Sequence, residues 1–298
     1  MSSGEQAHGS FALAVSRATD YLTLAKPELT LLSVLTAVCG SFLAVTGSFH
    51  PGYLLNTFVG TLLVGAGAGT LNQYLERKFD RVMNRTAHRP IPSGRVRPLE
   101  ALVLGSGESL AGVFYLLQFT NALAASLAAM TLVTYLFLYT PLKRISPFAT
   151  LVGGVPGALP PVIGWVAVRG EITWEAVLLF GVLFFWQMPH FLSLAWICRD
   201  DYKHAGYRLL CVIDTDGGRT GLHILIHSSL VLVISLLPAI LGVLPPVYAT
   251  GALLLGIANL VPALRHLRER SSATARSVFL ASLAYLPALL LLMVLTRA

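Results

Sequence analysis

Nine apolar runs follow one another almost to the end of this chain, and no polar stretch between them is long enough to form a soluble domain. They lie near residues 29–47, 53–73, 99–117, 122–139, 147–166, 174–197, 222–242, 245–264 and 277–295. Each approaches the roughly 20 residues that an α-helix needs to cross the hydrocarbon core of a bilayer. Only 12% of the 298 residues are charged and 55% are hydrophobic, whereas a soluble domain carries about 25% charged residues. So few charges cannot cover a water-facing surface, and the natural solvent is lipid. The expected fold class is an all-α integral membrane protein, a bundle of about nine transmembrane helices. Residues 1–28 read as a polar N-terminal segment and 29–298 as a single transmembrane domain.

The net charge of +7 would raise nucleic acid as a partner for a soluble protein. Its distribution points elsewhere. When the connections are numbered alternately from a cytosolic N-terminus, every Lys and Arg falls on the cytosolic side except Arg169 and Arg297. That is the positive-inside bias of a membrane protein, and it predicts the N-terminus inside, the C-terminus outside and no nucleic-acid partner. Most outside connections are short. The two long ones, after the second and sixth spans, are inside, and long connections tend to carry function, so the chemistry is expected at the cytosolic face. Cys39, Cys198 and Cys211 are far apart and form no CxxC pair, which argues against a disulfide framework or a zinc site. The only early apolar stretch, Phe11 to Val15, is too short for a signal-peptide core. With no long Arg-rich amphipathic leader in view, the expected location is a bacterial (inner) plasma membrane.

Two spans depart from plain hydrophobicity. The fifth contains Gly153, Gly154, Pro156, Gly157, Pro160 and Pro161 and is expected to be kinked or locally unwound. The third carries Glu108 near its middle, and an intramembrane carboxylate is a functional candidate by default.

The second span runs without a break into Asn72, Glu76, Asp80 and Asn84. Residues four apart form one slowly drifting stripe on a helix. Two carboxylates and two amides on one face suit a hard divalent cation such as Mg²⁺, which takes oxygen ligands and often bridges to phosphates. A neighbouring stripe of Arg77, Arg81 and Arg85 suits diphosphate oxygens, which guanidinium groups bind as forks. The plain alternative is a solvated helix end laced with i,i+4 pairs. The stripe begins inside the apolar span, where Asn72 and Glu76 are costly, and that favours a function.

The sixth span repeats the logic. It carries Trp186, Pro189 and His190 and ends in Arg199, Asp200, Asp201, Tyr202 and Lys203. Asp200 and Asp201 are candidate ligands for the same metal or a second one. Beyond them, Asp214 to Thr220 is a polar turn placed to cap the seventh span.

These features resemble the intramembrane UbiA-type prenyltransferase superfamily. Asn72-xxx-Glu76-xxx-Asp80 is similar to its NxxxDxxxD motif, with Glu in the middle place. The closer similarity is to the branch that farnesylates haem. It is carried by Asp80-xx-Met83-x-Arg85-Thr86-xx-Arg89-Pro90, by Tyr139-Thr140-x-Leu142-Lys143-Arg144 and by Gly153-Gly154-xx-Gly157-Ala158-x-Pro160-Pro161-x-Ile163-Gly164-Trp165. Trp186-Gln-Met-Pro-His190-Phe191, Asp201-Tyr202-xx-Ala205-Gly206 and Asp216-Gly-x-Arg219-Thr220 extend it. The chain departs from the pattern at Tyr207 to Val212, where Cys211 stands at a place often taken by proline. It departs also in having only the adjacent Asp200 and Asp201 where the superfamily often has spaced aspartates.

The resemblance implies farnesyl diphosphate as donor, haem B as acceptor and Mg²⁺ as cofactor. It implies catalytic roles for Asp80, Asp201 and Glu76, with Asn72, Glu76, Asp80 and Asp201 holding the metal. Arg81, Arg85, Lys143 and Arg144 would bind diphosphate, and His190 and Tyr202 would face the haem. A terminal-oxidase assembly protein or a haem A synthase is the implied partner, besides the lipid bilayer. Two other readings stand beside it: a membrane prenyltransferase acting on an aromatic acid or quinone precursor, and a transporter. The transporter reading predicts ionisable residues at the bilayer midplane, whereas the acids here cluster at one membrane face.

Overall fold

The computed structural model describes residues 16–48 and 50–297. Residues 1–15, more than half of the expected polar N-terminal segment, lie outside the described residues. Among the described residues nine helices are long and apolar enough to cross a membrane. They are α1 (Pro27–Ala44), α2 (Pro51–Asp80), α3 (Pro98–Phe119), α4 (Ala122–Leu142), α5 (Ala149–Arg169), α6 (Trp174–Ile197), α7 (Gly218–Ile240), α8 (Pro246–Glu269) and α9 (Ser272–Thr296). No strand occurs among the described residues. A helix satisfies its backbone polar groups internally, so it is the element lipid permits. Leu29, Leu99, Phe114, Val233 and Leu295, among other large apolar side chains, point outward, as a lipid-solvated surface requires.

Helix starts follow local chemistry. Proline occupies the first turn of α1, α2, α3 and α8, where its missing N–H costs nothing. The Asn121 carboxamide accepts from the Ala124 N–H at 2.9 Å to cap α4, and Ser271 caps α9 in a box with Thr274. Asp214 caps α7 as expected, its Oδ2 accepting from the Thr220 N–H and hydroxyl, each at 2.7 Å.

Helix α2 extends seven residues past the expected end of its span, at 73. It is 30 residues long, about 45 Å at 1.5 Å per residue, longer than the roughly 30 Å hydrocarbon core. Its last turns therefore carry the acidic stripe out to one membrane face. The long connections 81–97 and 198–217 lie at that same end, whereas 120–121, 170–173 and 241–245 are short links at the other.

α5 and α6 are the most deeply buried spans. α5 packs against α1, α4 and α6, and α6 against α7 and α9. The expected unwinding of α5 does not occur: it is helical throughout Ala149–Arg169 despite Pro156, Pro160 and Pro161. Close neighbours hold it. The Gln187 side chain donates to the Gly154 carbonyl at 2.7 Å and the Ser41 hydroxyl to the Gly164 carbonyl at 2.9 Å. A Cβ on Gly164 would lie 1.8 Å from the Ala37 carbonyl oxygen, and one on Gly40 2.1 Å from that of Pro161. These glycines let the α1 and α5 backbones meet, a device that suits lipid, where association rests on close packing rather than on a hydrophobic drive.

One departure was not foreseen. The end of α4 switches to π-helix over Thr134–Tyr139, just before Pro141, which lacks an N–H. Single π turns often mark functional sites, and this one reaches the cluster described next.

Candidate active site

The stripe on α2 faces inward. Asn72 and Asp80 are each 1% exposed and Glu76 is 6% exposed, so the solvated-helix-end alternative fails. A buried carboxylate needs compensation, and bases from distant parts of the chain supply it. Lys143, just past the end of α4, places Nζ 2.7 Å from Glu76 Oε1. The Tyr207 hydroxyl donates to the same oxygen at 3.0 Å, and Asn72 Nδ2 donates to Oε2 at 3.0 Å. The Asn72 amide also reaches Thr140 Oγ1 at 3.2 Å, on the turn that follows the π segment. Asp80 Oδ2 accepts from Arg89 Nη1 at 2.8 Å.

Lys26 closes the cluster from α1, with Nζ 2.6 Å from Asn72 Oδ1. It is the residue before Pro27 and has φ 49 and ψ 61, a left-handed conformation that a non-glycine residue adopts only under constraint from its surroundings. Burial, and then the nearby Arg89 guanidinium, push the Lys26 ammonium down to about 7. Lys143 goes the other way: burial alone would lower it, but the Glu76 carboxylate wins and holds it well above the usual lysine range. Its ammonium also sits over the Tyr139 ring, 4.6 Å from the centroid. Burial drives the Tyr207 phenol up, so that it remains a donor to Glu76.

The connection after α6 meets this cluster. Asn84 Nδ2 reaches Asp201 Oδ1 at 3.4 Å and the Arg85 N–H reaches Asp201 Oδ2 at 3.3 Å. One residue on, the Thr86 hydroxyl donates to the Asp80 carbonyl at 2.9 Å. Asp80 and Asp201 are thus tied through the same turn, at one end of the bundle. Arg85 also reaches the Tyr202 hydroxyl at 3.4 Å, and the Arg208 N–H donates to the Lys143 carbonyl at 3.0 Å.

Not every expected residue joins. Arg144 lies over the Phe79 ring at 4.5 Å, beside the cluster. Arg81 is exposed at the end of α2. Asp200 points to solvent, its side chain 96% exposed. His190 departs most from expectation. It is buried in the packed interior, stacked between Trp186 and Phe279 at 5.1 and 4.6 Å, with Nδ1 3.0 Å from Ser282 Oγ. That environment explains the ring by packing between α6 and α9, without a ligand. Glu108 accepts from the Thr70 hydroxyl at 3.1 Å, an α2–α3 contact away from the cluster.

Sequence reasoning passed over Lys26, Arg89, Thr140 and Tyr207 as site residues. Lys26 and Arg89 had been read as topological charge or as parts of a pattern. A base directly before Pro27, at the mouth of the first span, was a usable signal for Lys26. Nothing local marks Tyr207, which is 131 residues from Glu76.

Among the described residues, no three His, Cys, Asp or Glu side chains converge to hold a metal, because each acid is paired with a base or an amide. The donor set is nevertheless all hard oxygen, the kind a divalent cation such as Mg²⁺ takes. Asn72, Glu76, Asp80 and Asp201 carry such oxygens at the same end of the bundle.

Comparison with known proteins shows the family and the fold. Residues 33–286 match the UbiA prenyltransferase family. A Protoheme IX farnesyltransferase of Solibacter usitatus is 42% identical over 287 residues, spanning 93% of this chain and 98% of the relative. One of Koribacter versatilis is also 42% identical, over 292 residues, spanning 93% of each. A solved structure of digeranylgeranylglyceryl phosphate synthase superposes with a TM-score of 0.79 at 19% identity, over 94% of this chain and 98% of that one. A UbiA homolog from Archaeoglobus fulgidus bound to GPP and Mg²⁺ gives 0.69 at 13% identity, over 92% and 99%. The chain is a multi-pass membrane transferase and belongs to the UbiA prenyltransferase family.

Proposed function

We propose that the chain transfers the farnesyl group of farnesyl diphosphate to a vinyl group of haem B, releasing diphosphate and giving haem O. The observation that carries the proposal is the mouth formed by Lys26, Lys143, Arg85 and Arg89 against Asn72, Glu76, Asp80 and Asp201. Near-full-length relatives carrying the name Protoheme IX farnesyltransferase supply the choice of donor and acceptor.

The allylic C–O bond of the donor breaks as negative charge builds on the leaving diphosphate. Preorganised cations aimed at that charge lower the barrier more than they lower the ground state. Lys26, Lys143 and Arg89 are held in place by carboxylate or amide partners. Diphosphate oxygens take over those partners' places, which leaves Glu76 and Asp80 oxygens available. Asn72, Glu76, Asp80 and Asp201 would hold a Mg²⁺ ion, which would supply further neutralisation of the diphosphate. Arg81, Arg85 and Arg144 screen it from the rim. The farnesyl chain lies among the apolar spans, where an allylic cation is kept from water until the vinyl carbon attacks it. One water then adds, because the product carries a hydroxyethylfarnesyl group. Tyr202, tied to Arg85, is placed at the edge where the acceptor approaches.

The same reading places residues 29–298 as one transferase domain in a bacterial inner membrane, with the N-terminus and active site cytosolic and the C-terminus outside. The charge asymmetry of the connections supports it. A haem A synthase or an oxidase-assembly protein would receive the product.

The test supplies membranes containing the chain with farnesyl diphosphate, Mg²⁺ and either haem B or 4-hydroxybenzoate, with products read by mass. Farnesylated haem is expected. Prenylated benzoate with unmodified haem would overturn the assignment in favour of an aromatic acceptor. Chelation by EDTA should stop turnover, and added Mg²⁺ should restore it.

A further inference from the structure

A cavity of about 270 Å³ lies at the end of the bundle opposite the diphosphate mouth. It is formed where α1, α5, α7 and α9 end and α6 begins, so the 21 residues of α5, about 30 Å at 1.5 Å per residue, separate it from the proposed chemistry. Its walls are apolar and include Leu179, Leu244 and Met293.

Two charged groups of the rim call for an occupant. Arg169 and Arg297 both line the cavity. They are the two basic residues that the alternating topology puts on this side, set apart from all the others, and they converge on one spot. Arg169 donates to Thr46 Oγ1 at 2.8 Å, and Arg297 donates to the Phe42 carbonyl. Neither is neutralised by those partners. Glu175 also lines the cavity and accepts from the Thr173 hydroxyl, so the described lining residues hold two guanidinium groups and one carboxylate.

We propose that this cavity binds the headgroup of an anionic phospholipid from the leaflet opposite the active site. The phosphate accepts from Arg169 and Arg297, and the first acyl carbons lie against the apolar wall. Lipid solvates this end of the bundle, so the occupant is at hand. The cavity accommodates a phosphate and the start of a chain. This site is independent of the transfer reaction.

The test purifies the full chain from nanodiscs of mixed phosphatidylglycerol and phosphatidylcholine and counts retained lipid by native mass spectrometry. One phosphatidylglycerol is expected, in preference to phosphatidylcholine. Arg169→Gln with Arg297→Gln should weaken its retention about 30-fold, taking roughly a factor of five for each charge, while farnesyl transfer remains as a check on folding. Arg169→Lys with Arg297→Lys keeps the charges and should retain most of the lipid, and it answers the question if the glutamine pair does not fold. Equal retention of both lipids, or retention unchanged in the glutamine pair, would overturn the proposal. So would complete displacement by inorganic phosphate, which would make the site one for free anions, or displacement by haem B, which would make it a porphyrin site.

Discussion

Lys143 Nζ lies 2.7 Å from Glu76 Oε1, across 67 residues of chain and between two different membrane helices. The pair is largely buried, with side-chain exposures of 12% and 8%. Removing one member of a buried pair leaves an uncompensated charge, at about 3–5 kcal/mol. Lys143→Met should therefore destabilise the protein by that amount in thermal or denaturant unfolding in mild detergent. Adding Glu76→Gln should recover most of the loss, because no bare charge then remains. Additive losses in the double variant would show that the two side chains do not interact.

Asp201 is placed differently. It is half-buried, at the edge of the mouth, and its carboxylate meets Asn84 and the Arg85 N–H. Asp201→Asn should lower turnover by about 100-fold or more, the usual scale for losing one charge-stabilising group, while stability changes by about 0.5 kcal/mol or less. Asp80→Asn should abolish turnover comparably and also weaken the fold, because Arg89 loses its partner. Asp200→Asn, at a solvent-facing neighbour, should leave both unchanged. Full activity in Asp201→Asn would remove that residue from the site.

The close approach of α1 to α5 makes a packing prediction. Gly164→Ala puts a Cβ within 1.8 Å of the Ala37 carbonyl oxygen, and backbone cannot yield as a side chain can. A loss of about 3 kcal/mol or more is expected, at the upper end of overpacking costs. Gly52→Ala, where a Cβ meets nothing within 4 Å, is the matched control. Equal unfolding temperatures for the two variants would contradict the helix contact.

Asp214 links pH to the start of α7. Burial favours its neutral form, but the Thr220 N–H and hydroxyl outweigh burial and hold the carboxyl below its usual 3.8. The native value is depressed, so the stabilisation is fully present above 3.8 and is lost as pH falls through the lowered native value. Asp214→Ala should cost about 1 kcal/mol at neutral pH, as lost helix caps do. The gap from the parent protein, followed by unfolding between pH 6 and 2, should close toward the acid end. A gap independent of pH would mean that the carboxylate is not the cap.

The amino-acid sequence on its own determined the class of fold, because nine apolar runs with so little charge leave helices in lipid as the one way to satisfy every backbone group. It also marked Asn72, Glu76 and Asp80, because oxygen-bearing side chains at i,i+4 spacing on an apolar helix are too costly to be incidental, and Asp201 just past the sixth span. It marked the glycines and prolines of α5 as a kink or a local unwinding, and the helix does not unwind. Their real use is close packing against Ala37 and Gln187, and that is visible only when the neighbouring helices are in place. Tertiary structure alone decided which base pairs with which acid. Lys26, Arg89, Lys143 and Tyr207 come from four separate segments, and nothing in their local sequence states which buried oxygen each will meet. A buried charge is satisfied in three dimensions, and only the packed bundle brings those segments to one mouth.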